Sequence, residues 1–543
     1  MRAWMIAALL ASATLVGAAA PPTAQNPPQR VTEAAPDPSA GQNPFESAAP
    51  VAAHNKIDDI VFGQIKRLRI TPARLSSDAV FVRRAYLDVI GTLPTADEAR
   101  AFIDDKDPSK RSTLIDRLLE RPEYADYWAM KWGDVLRIKS EFPINLWPNA
   151  VQAYHRWVKT AVRDNMPYDR FARELLTQNG SNFRVAPVNF YRAVQSKDPQ
   201  TLASTVALTF MGSRTEHWPK DRVIDMAVFF SQIGYKPTGE WKEEIVYFDS
   251  SKSAGPKAGA APRSPVFPDG TRATIAPGQD PREVFASWLV APTNTWFARA
   301  AANRAWYWLM GRGIIEEPDD IRPDNPPSNP DLLVYLEKEL VASRYDLKAL
   351  YRLILNSTTY QLSSIPQTAT PEGDANFAHA LIRPLEAEVL IDALNQITGG
   401  GEEYQSAIPE PFTFIPPDQR SIALGDGSVT SAFLETFGRP PRDSGLASER
   451  SQRPTASQRL QLLNGGDIQR KIQQGPKLQA LLQAGGGLQV VANLYLTILS
   501  RLPTADEMKA AGGYAQSAGG NRRQAALDLA WALINTAEFR YRH

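Results

Sequence analysis

Apolar residues recur at helical spacing along most of the chain from residue 56 onward. In the first such stretch Ile57, Val61 and Ile65 lie four residues apart, so they share one face of a helix. The same period predicts helices over residues 78–90, 109–120, 124–138, 150–163, 168–178, 199–211, 281–289, 296–311, 330–343, 346–356 and 384–398. The pattern therefore predicts a mainly α-helical fold of two associated helical domains.

Three segments depart from this period. Glu244–Phe248 is short and β-like, and residues 266–275 carry a Pro-Asp-Gly turn between two apolar runs. These features predict a small β-hairpin that joins the two helical domains. Residues 399–454 show little periodicity, and a loop of that length is usually functional or disordered. The predicted units are an N-terminal domain, a β-containing linker and a C-terminal domain, over residues 55–249, 250–280 and 281–543.

One phrase occurs twice in the chain. Residues 93–98 and 502–507 both read Leu-Pro-Thr-Ala-Asp-Glu. In each copy Thr can cap the next helix, and Glu follows three residues later, which is the spacing of a capping box. We therefore expect a duplicated helical module at the two ends of the folded chain, with the copies packed side by side. The flanking residues also match, once six extra residues in the second copy are allowed for: Tyr86 with Tyr495, and residues 118–124 with 533–539.

The N-terminal residues predict export. Met1 and Arg2 supply a positive start, an apolar run follows, and residues 17–20 offer small side chains for cleavage, which is typical of a signal peptide. We expect residues 1–19 to be that signal and residues 20–54, rich in Pro and Ala, to be a disordered tether. No later stretch is apolar for long enough to span a bilayer, so we expect a periplasmic or extracellular protein.

Composition narrows the classes of function. The 543 residues include no cysteine, which excludes disulfides and covalently attached heme c, so packing has to stabilise the exported fold. The formal net charge of +1 gives no indication of binding to nucleic acid or to an anionic membrane. The 12 tryptophans suit a core, or contacts with proteins and sugars.

Several phrases resemble a known family. Residues 83–95 and 128–132 resemble an N-terminal domain of unknown function, the 1549-type domain, which is abundant in exported proteins of planctomycetes, verrucomicrobia and acidobacteria. Its usual companion is the 1553-type domain, and four later stretches of this chain resemble it: residues 303–315, 345–361, 383–388 and 436–441. The resemblance implies an exported protein that is often encoded near a sulfatase-like partner and often linked to cytochrome-c-like modules. It implies no particular reaction.

The chain departs from that family at the heme motif. Relatives carry Cys-x-x-Cys-His after the phrase that corresponds to residues 209–212, whereas residues 213–217 here read Ser-Arg-Thr-Glu-His. Heme c needs both thiols for its thioether bonds. The second cysteine-bearing segment of the relatives corresponds to residues 442–450, which also lack cysteine. We therefore expect a cofactor-free variant of the family.

Candidate chemical groups are few. Glu216, His217 and Asp221 form the densest set of metal-ligand residue types, but a polar surface turn is the favoured interpretation, so no metal is expected. Asp319 and Asp320, in a Pro-rich loop, are the candidate catalytic carboxylates, because glycoside hydrolysis needs two carboxylates that flank the bond.

Arginines and tryptophans inside the family-like phrases are the candidate binding residues. Arg84 and Asp88 have the i,i+4 spacing of a helical ion pair. The favoured interpretation is a structural network of ion pairs and tryptophans that joins the two halves. The alternative is a groove in which arginines hold a carboxylate or sulfate and tryptophans hold sugar rings. The candidates are Arg84, Asp88, Trp132, Arg304, Trp306 and Arg312.

Two functions remain open from the sequence, and whether the chain is an enzyme is left undecided. The first is an exported, cofactor-free binding or assembly module of the cell envelope, whose partner is a sulfatase-like or cytochrome-bearing protein. The second is a periplasmic enzyme that acts on a polysaccharide, sulfated or not, through carboxylates and arginines of a cleft. The first predicts an exposed apolar patch within residues 399–454, and the second predicts convergent carboxylates with shifted pKa values.

Overall fold

The computed structural model describes residues 43–140, 146–255, 263–517 and 521–543. The predicted signal peptide lies outside the described residues. Within them the chain is mainly α-helical, with two small sheets, as the sequence predicts. None of the helices in these ranges is long and apolar enough to cross a membrane.

The helices before residue 230 follow the predicted periods closely. They are α1 (Lys56–Arg67), α2 (Asp78–Val89), α3 (Ala96–Asp104), α4 (Lys110–Leu119), α5 (Pro122–Val135), α6 (Pro148–Arg163), α7 (Tyr168–Thr177), α8 (Pro199–Met211) and α9 (Lys220–Ala227).

The helices after residue 280 form the second group. They are α10 (Pro281–Leu289), α11 (Phe297–Met310), α12 (Pro330–Ala342), α13 (Leu347–Leu355), α14 (Thr358–Gln361), α15 (Pro371–Ala375), α16 (Ala387–Thr398), α17 (Ala432–Thr436), α18 (Ala456–Asn464), α19 (Gly466–Gln474), α20 (Pro476–Gln483), α21 (Gly487–Leu499), α22 (Ala505–Ser517), α23 (Arg522–Ile534) and α24 (Ala537–Arg540).

A three-stranded antiparallel sheet combines one short strand from between α7 and α8 with two strands that follow α9. Its strands are β1 (Gly180–Ser181), β2 (Ile233–Pro237) and β3 (Glu244–Phe248), in the order β1-β3-β2. The joining hairpin is therefore β2–β3, which begins before the predicted linker. The predicted hairpin over residues 266–275 forms only a single bridge, between Val266 and Arg272. Prolines on both sides of this bridge lack the N–H that a longer ladder needs.

The two copies of the repeated phrase fold alike. Thr95 caps α3 in a capping box with Glu98, and Thr504 makes the same reciprocal hydrogen bonds with Glu507 at the start of α22. The copies pack against each other, since the Arg83 guanidinium of the first donates to the Ile498 carbonyl of the second at 2.9 Å. The predicted duplication and the predicted side-by-side packing are therefore confirmed.

The hydrophobic core runs through both helical groups without a break. The Trp128 ring of α5 stacks on the Tyr351 ring of α13, with 4.1 Å between ring centroids. Trp132, one turn later, meets the Trp308 ring of α11 edge-on at 5.3 Å. Aromatic pairs of this kind contribute beyond their buried area, so α5 binds the first group firmly to the second.

The end of the predicted tether belongs to the folded body. The Ser47 amide donates to the Leu75 carbonyl at 2.8 Å, and the Ser77 amide donates to the Phe45 carbonyl at 3.0 Å. The Phe45 ring also meets the His543 ring edge-on. Residues 43–54 are therefore part of the fold, and the predicted tether boundary at residue 54 is too late. The β4 (Arg383–Pro384) and β5 (Tyr541–Arg542) strands form the second sheet near this C-terminus.

Candidate functional site

Charged side chains from five parts of the chain meet between the two helical groups. They come from α2, from α5, from β4 and the start of α16, from residues 439–450, and from β5. We call this set the charged junction. Five of its ten members are buried, and the other five are half-buried. Its members are Asp88, Lys131, Asp134, Arg383, Glu386, Glu388, Arg439, Arg442, Arg450 and Arg542.

One half of the charged junction is centred on Glu386. This residue directly precedes α16, and its side chain makes no capping hydrogen bond to that helix. Its carboxylate instead forms ion pairs with the Lys131 ammonium and with the Arg542 guanidinium, the latter at 2.5 Å. Arg542 also reaches Asp88 at 2.9 Å, and Arg383 reaches the same carboxylate oxygen at 2.9 Å. Helix α2, helix α5, the start of α16 and the C-terminal strand are thereby linked through charge.

The other half is centred on Arg450. Its guanidinium holds Glu388 of α16 at 2.6 Å and Asp134 of α5 at 2.8 Å. Arg442 pairs with the second oxygen of Asp134 at 2.8 Å, and Arg439 lies 3.4 Å from Glu388. Because a guanidinium offers a planar fork of donors, one arginine can bridge two carboxylates in this way.

The pKa values of the junction follow from this pairing. Burial alone would raise the pKa of Glu386, but Arg542 and Lys131 hold it well below its usual range. The pKa values of Glu388 and Asp134 are also lowered against the effect of burial, chiefly by Arg450, which bridges them. Burial lowers the pKa of Lys131 to about 8, against the opposing effect of Glu386. The carboxylates are thus ionised acceptors and cannot serve as proton donors near neutral pH.

Acid should weaken this junction. A carboxylate whose pKa is lower in the folded state than in the unfolded state stabilises the fold at pH values above its unfolded-state pKa. That contribution is lost as the pH falls through the folded-state pKa. With reference values of 4.5 for Glu388 and 3.8 for Asp134, we expect the urea midpoint to fall below about pH 4.5. Urea titrations between pH 7 and pH 3 measure this. Glu388→Gln should show a smaller fall over this range, and an equal fall would contradict the assignment.

Little space is left beside these charges. A cavity of about 20 Å³ lies against Lys131, Tyr307 and Glu386. A second cavity, of about 40 Å³, lies against Asp134 and Asp319. A water needs on the order of 10–15 Å³ of such space. The junction can therefore hold a few waters, and a sugar ring does not fit.

Two family comparisons match the chain. The family described as "Protein of unknown function (DUF1549)" matches residues 56–218, and the family described as "Protein of unknown function (DUF1553)" matches residues 281–515. The chain is a DUF1549–DUF1553 protein. No curated protein and no solved structure matches it.

The segment after α8, where the relatives of this DUF1549–DUF1553 protein are expected to attach heme c, has no thiol in this chain, so the thioether bonds of heme c cannot form there. Two of its side chains are hydrogen-bonded within the fold. The Ser213 hydroxyl donates to the Ile321 carbonyl at 3.0 Å, and the Trp218 indole donates to Ser213 at 2.9 Å.

The predicted Arg84–Asp88 pair does not form in this DUF1549–DUF1553 protein. Arg84 is buried and donates to the carbonyls of Tyr360 at 2.6 Å and His543 at 2.9 Å. Asp88 instead faces the two arginines of the charged junction and accepts from the Tyr360 hydroxyl at 2.9 Å. One predicted binding residue therefore fixes the C-terminus, and the other belongs to the junction.

The two candidate catalytic aspartates bind different arginines. Asp319 is buried, lies 3.4 Å from Arg304 and accepts from the Ala447 amide at 2.6 Å. Asp320 pairs with Arg322 at 3.1 Å. Arg304, a candidate binding residue, is thus a partner of Asp319. Each aspartate is held by a separate cation, an arrangement that favours a structural role over a pair flanking a substrate.

The two tryptophans among the binding candidates of the DUF1549–DUF1553 protein are packing residues. Trp132 lies in the aromatic core beside Trp308, and Trp306 is buried edge-on to Phe377 at 5.0 Å. Arg312 is half-buried. Four of the six candidates thus make contacts between the two halves, namely Arg84, Asp88, Trp132 and Arg304, whereas Trp306 packs within the second half.

The weak metal candidates do not converge. His217 lies 3.8 Å from Asp320, and Asp221 lies 3.7 Å from Arg263, while Glu216 is exposed. Across residues 43–140, 146–255, 263–517 and 521–543, no group of three or more His, Cys, Asp or Glu side chains could hold a metal ion.

Sequence reasoning missed most of the junction, although a signal was present. Lys131 stands between tryptophans in a buried aromatic helix, where a charge is costly unless it is paired. Glu386 and Glu388 lie two residues apart, a spacing that does not place them on one helix face, and the structure indeed directs them to different partners. Arg439, Arg442, Arg450 and Arg542 gave no signal, because their partners lie up to hundreds of residues away.

Proposed function

We propose that this protein is an exported, cofactor-free binding or assembly module of the cell envelope. Its contact surface is the aromatic loop, which we define as residues 409–417, and its partner is an envelope protein of the sulfatase-like or cytochrome-bearing kind. The observation that carries the proposal is the exposure of two phenylalanines in this loop, which lies within the segment where an assembly module should expose an apolar patch.

The aromatic loop presents apolar surface in an ordered frame. Phe412 is 50% exposed and Phe414 is 67% exposed. The amides of Phe412 and Thr413 both donate to the Pro409 carbonyl, at 3.1 and 3.3 Å. The Trp147 ring supports Phe412 edge-on at 5.4 Å. Aromatic residues are enriched at protein interfaces, and a loop fixed beforehand loses less entropy on binding.

The charged junction supports a scaffold in preference to an enzyme. An enzyme acting on a polysaccharide through two carboxylates needs one of them protonated near neutral pH. The three junction carboxylates with shifted pKa values are all lowered, and the adjoining cavities are only about 20 and 40 Å³. The junction is therefore suited to holding two domains in one rigid body that presents the loop.

The proposal predicts that the aromatic loop determines partner capture. A tagged mature chain, incubated with the envelope fraction of its own cells, should retain a stoichiometric partner that Phe412→Ser/Phe414→Ser loses. The control Val334→Ser/Leu460→Ser replaces two residues that are also exposed, 40% and 58%, and it should retain the partner. Mass spectrometry quantifies the captured protein, and circular dichroism verifies the fold of each variant.

Two outcomes would overturn the proposal. One is a wild-type chain that captures no protein at stoichiometric level. The other is equal loss of the partner in the loop variant and in the control, which would mean that general surface hydrophobicity, and not the loop, is responsible.

A further inference from the structure

The second copy of the duplicated module contains a large apolar cavity. Its volume is about 870 Å³, and it lies among α20, α21, α22 and α23. Ligand cavities commonly measure roughly 300–1,000 Å³ and are lined mainly by apolar groups. Apolar lining left in contact with water is unfavourable unless something covers it. The volume therefore suits a small-molecule ligand.

In the first copy of the module, side chains fill the interior that corresponds to this cavity. There the Phe81 and Phe102 rings stack with 5.9 Å between centroids. The Arg111 guanidinium lies over Phe81 at 4.6 Å, and the Lys110 ammonium lies over Phe102 at 4.9 Å. Two rings and two cation-bearing side chains thus occupy the interior between α2, α3 and α4.

The equivalent positions of the second copy carry small side chains. The repeated phrase aligns Phe81 with Val490 and Phe102 with Ala511, and the downstream match aligns the two cations with Ala525 and Ala526. All four of these small residues line the cavity. The cavity therefore arises where the second copy lacks the four large side chains that close the first.

An ion-pair cluster beside this interior is present in both copies, so the second copy keeps this part of the module although it lacks the four large side chains. In the first copy Arg121 binds Glu98 and Glu123 and lies over the Tyr86 ring. The second copy has the same arrangement, in which an arginine from a different position binds two glutamates and lies over a tyrosine: Arg501, Glu507, Glu538 and Tyr495.

The charge around the cavity is positive. Glu507 contributes to the lining, but Arg501 neutralises it at 2.7 Å. Arg522 and Arg523 also line the cavity, and both are exposed to solvent. Arg523 also donates to the Gln479 side-chain oxygen at 2.6 Å. A ligand with its apolar body among Val490, Ala511 and their neighbours would thus have two guanidinium groups within the same site. Guanidinium groups bind carboxylate and phosphate oxygens well.

We propose that the C-terminal module binds an amphiphile, with an elongated apolar body in this cavity and an anionic end at Arg522 and Arg523. Fatty acids and lysophospholipids share this chemistry. The inference is independent of the aromatic loop, since no residue of that loop lines the cavity.

Isothermal titration of the full mature chain tests the proposal. Decanoate should bind. Decyltrimethylammonium, which has the same chain length and the opposite charge, should bind with an affinity lower by about tenfold or more. Val490→Phe/Ala511→Phe restores the two rings of the first copy and should reduce decanoate affinity by about tenfold or more, with an unchanged or raised melting temperature. Val334→Ser/Leu460→Ser, at two exposed positions outside the cavity lining, serves as the control and should bind decanoate as the wild type does.

The anionic end is tested at exposed positions, which should leave the fold intact. Arg522→Gln/Arg523→Gln should weaken decanoate binding and remove the preference over decyltrimethylammonium. Comparing decanoyl-lysophosphatidylglycerol with decanoate shows which head group the site favours. Tighter binding of either probe supports an anionic amphiphile as the ligand. The proposal is wrong if the wild type binds neither anionic probe, if the folded ring-restoring variant binds decanoate unchanged, or if the arginine variant keeps the charge preference.

Discussion

Replacing Glu386 by glutamine should destabilise the folded chain by about 3–5 kcal/mol, the range found when one partner of a buried ion pair is removed. Glu386 accepts a hydrogen bond from Lys131 and forms an ion pair with Arg542, and the side chains of Glu386, Lys131 and Arg542 are only 8%, 8% and 3% exposed. A neutral amide leaves the ammonium without its counter-charge in a site that has little room for water. The loss should exceed that of an ordinary surface pair several-fold.

Urea unfolding, followed by tryptophan fluorescence and circular dichroism, measures this effect. Asp164→Asn breaks the exposed pair with Arg163 and should leave the midpoint unchanged. Lys131→Met/Glu386→Gln should be more stable than Glu386→Gln alone, because the uncompensated charge is removed together with its partner. A Glu386→Gln midpoint equal to that of the wild type would mean that the junction adds no stability.

The junction also explains why the two helical groups should unfold together. Lys131 comes from the first group, Glu386 from the second and Arg542 from the last strand. Buried ion pairs often contribute less to net stability than packed apolar groups do, but separating their partners leaves uncompensated buried charges, which is costly. A body fixed in this way can present its aromatic loop at a constant orientation.

Local features of this fold could be predicted from sequence because their physical cause is local. The capping boxes at Thr95 and Thr504 each depend on one Thr and a Glu three residues later. Helix α8, from Pro199 to Met211, starts at a proline after a capping aspartate and ends at Gly212 in a left-handed conformation. Such signals lie within a few residues of each other.

Long-range pairing could not be predicted in the same way. Spacing alone favoured an Arg84–Asp88 pair, yet Asp88 pairs with Arg383 and Arg542, which are 295 and 454 residues away. A buried carboxylate binds the cations that the tertiary fold brings nearest, and helical spacing supplies only one of the options. The cavity could be predicted only in part. Aligning the two copies shows that Val490 and Ala511 replace Phe81 and Phe102, but only the structure shows that these two rings fill the interior of the first copy.

Replacing Trp128 by alanine should produce the second large loss, about 3–5 kcal/mol, as expected for a buried Trp in a packed core. Trp128 is 2% exposed, and its indole N–H donates to the Val89 carbonyl at 3.0 Å. It stacks on Tyr351 at 4.1 Å and meets Trp308 edge-on at 5.5 Å. Removing this ring opens a cavity between the two helical groups and leaves the Val89 carbonyl without its donor.

Because Trp128 contacts both helical groups, its loss should lower the stability of both in a single unfolding transition. Differential scanning calorimetry measures this, since two independent domains would instead give two peaks, of which only one moves. Trp241→Ala is the matched control, because Trp241 is 70% exposed and its removal should leave the transition in place. An unchanged transition for Trp128→Ala, or a shift of one peak alone, would contradict a core that is continuous across the two groups.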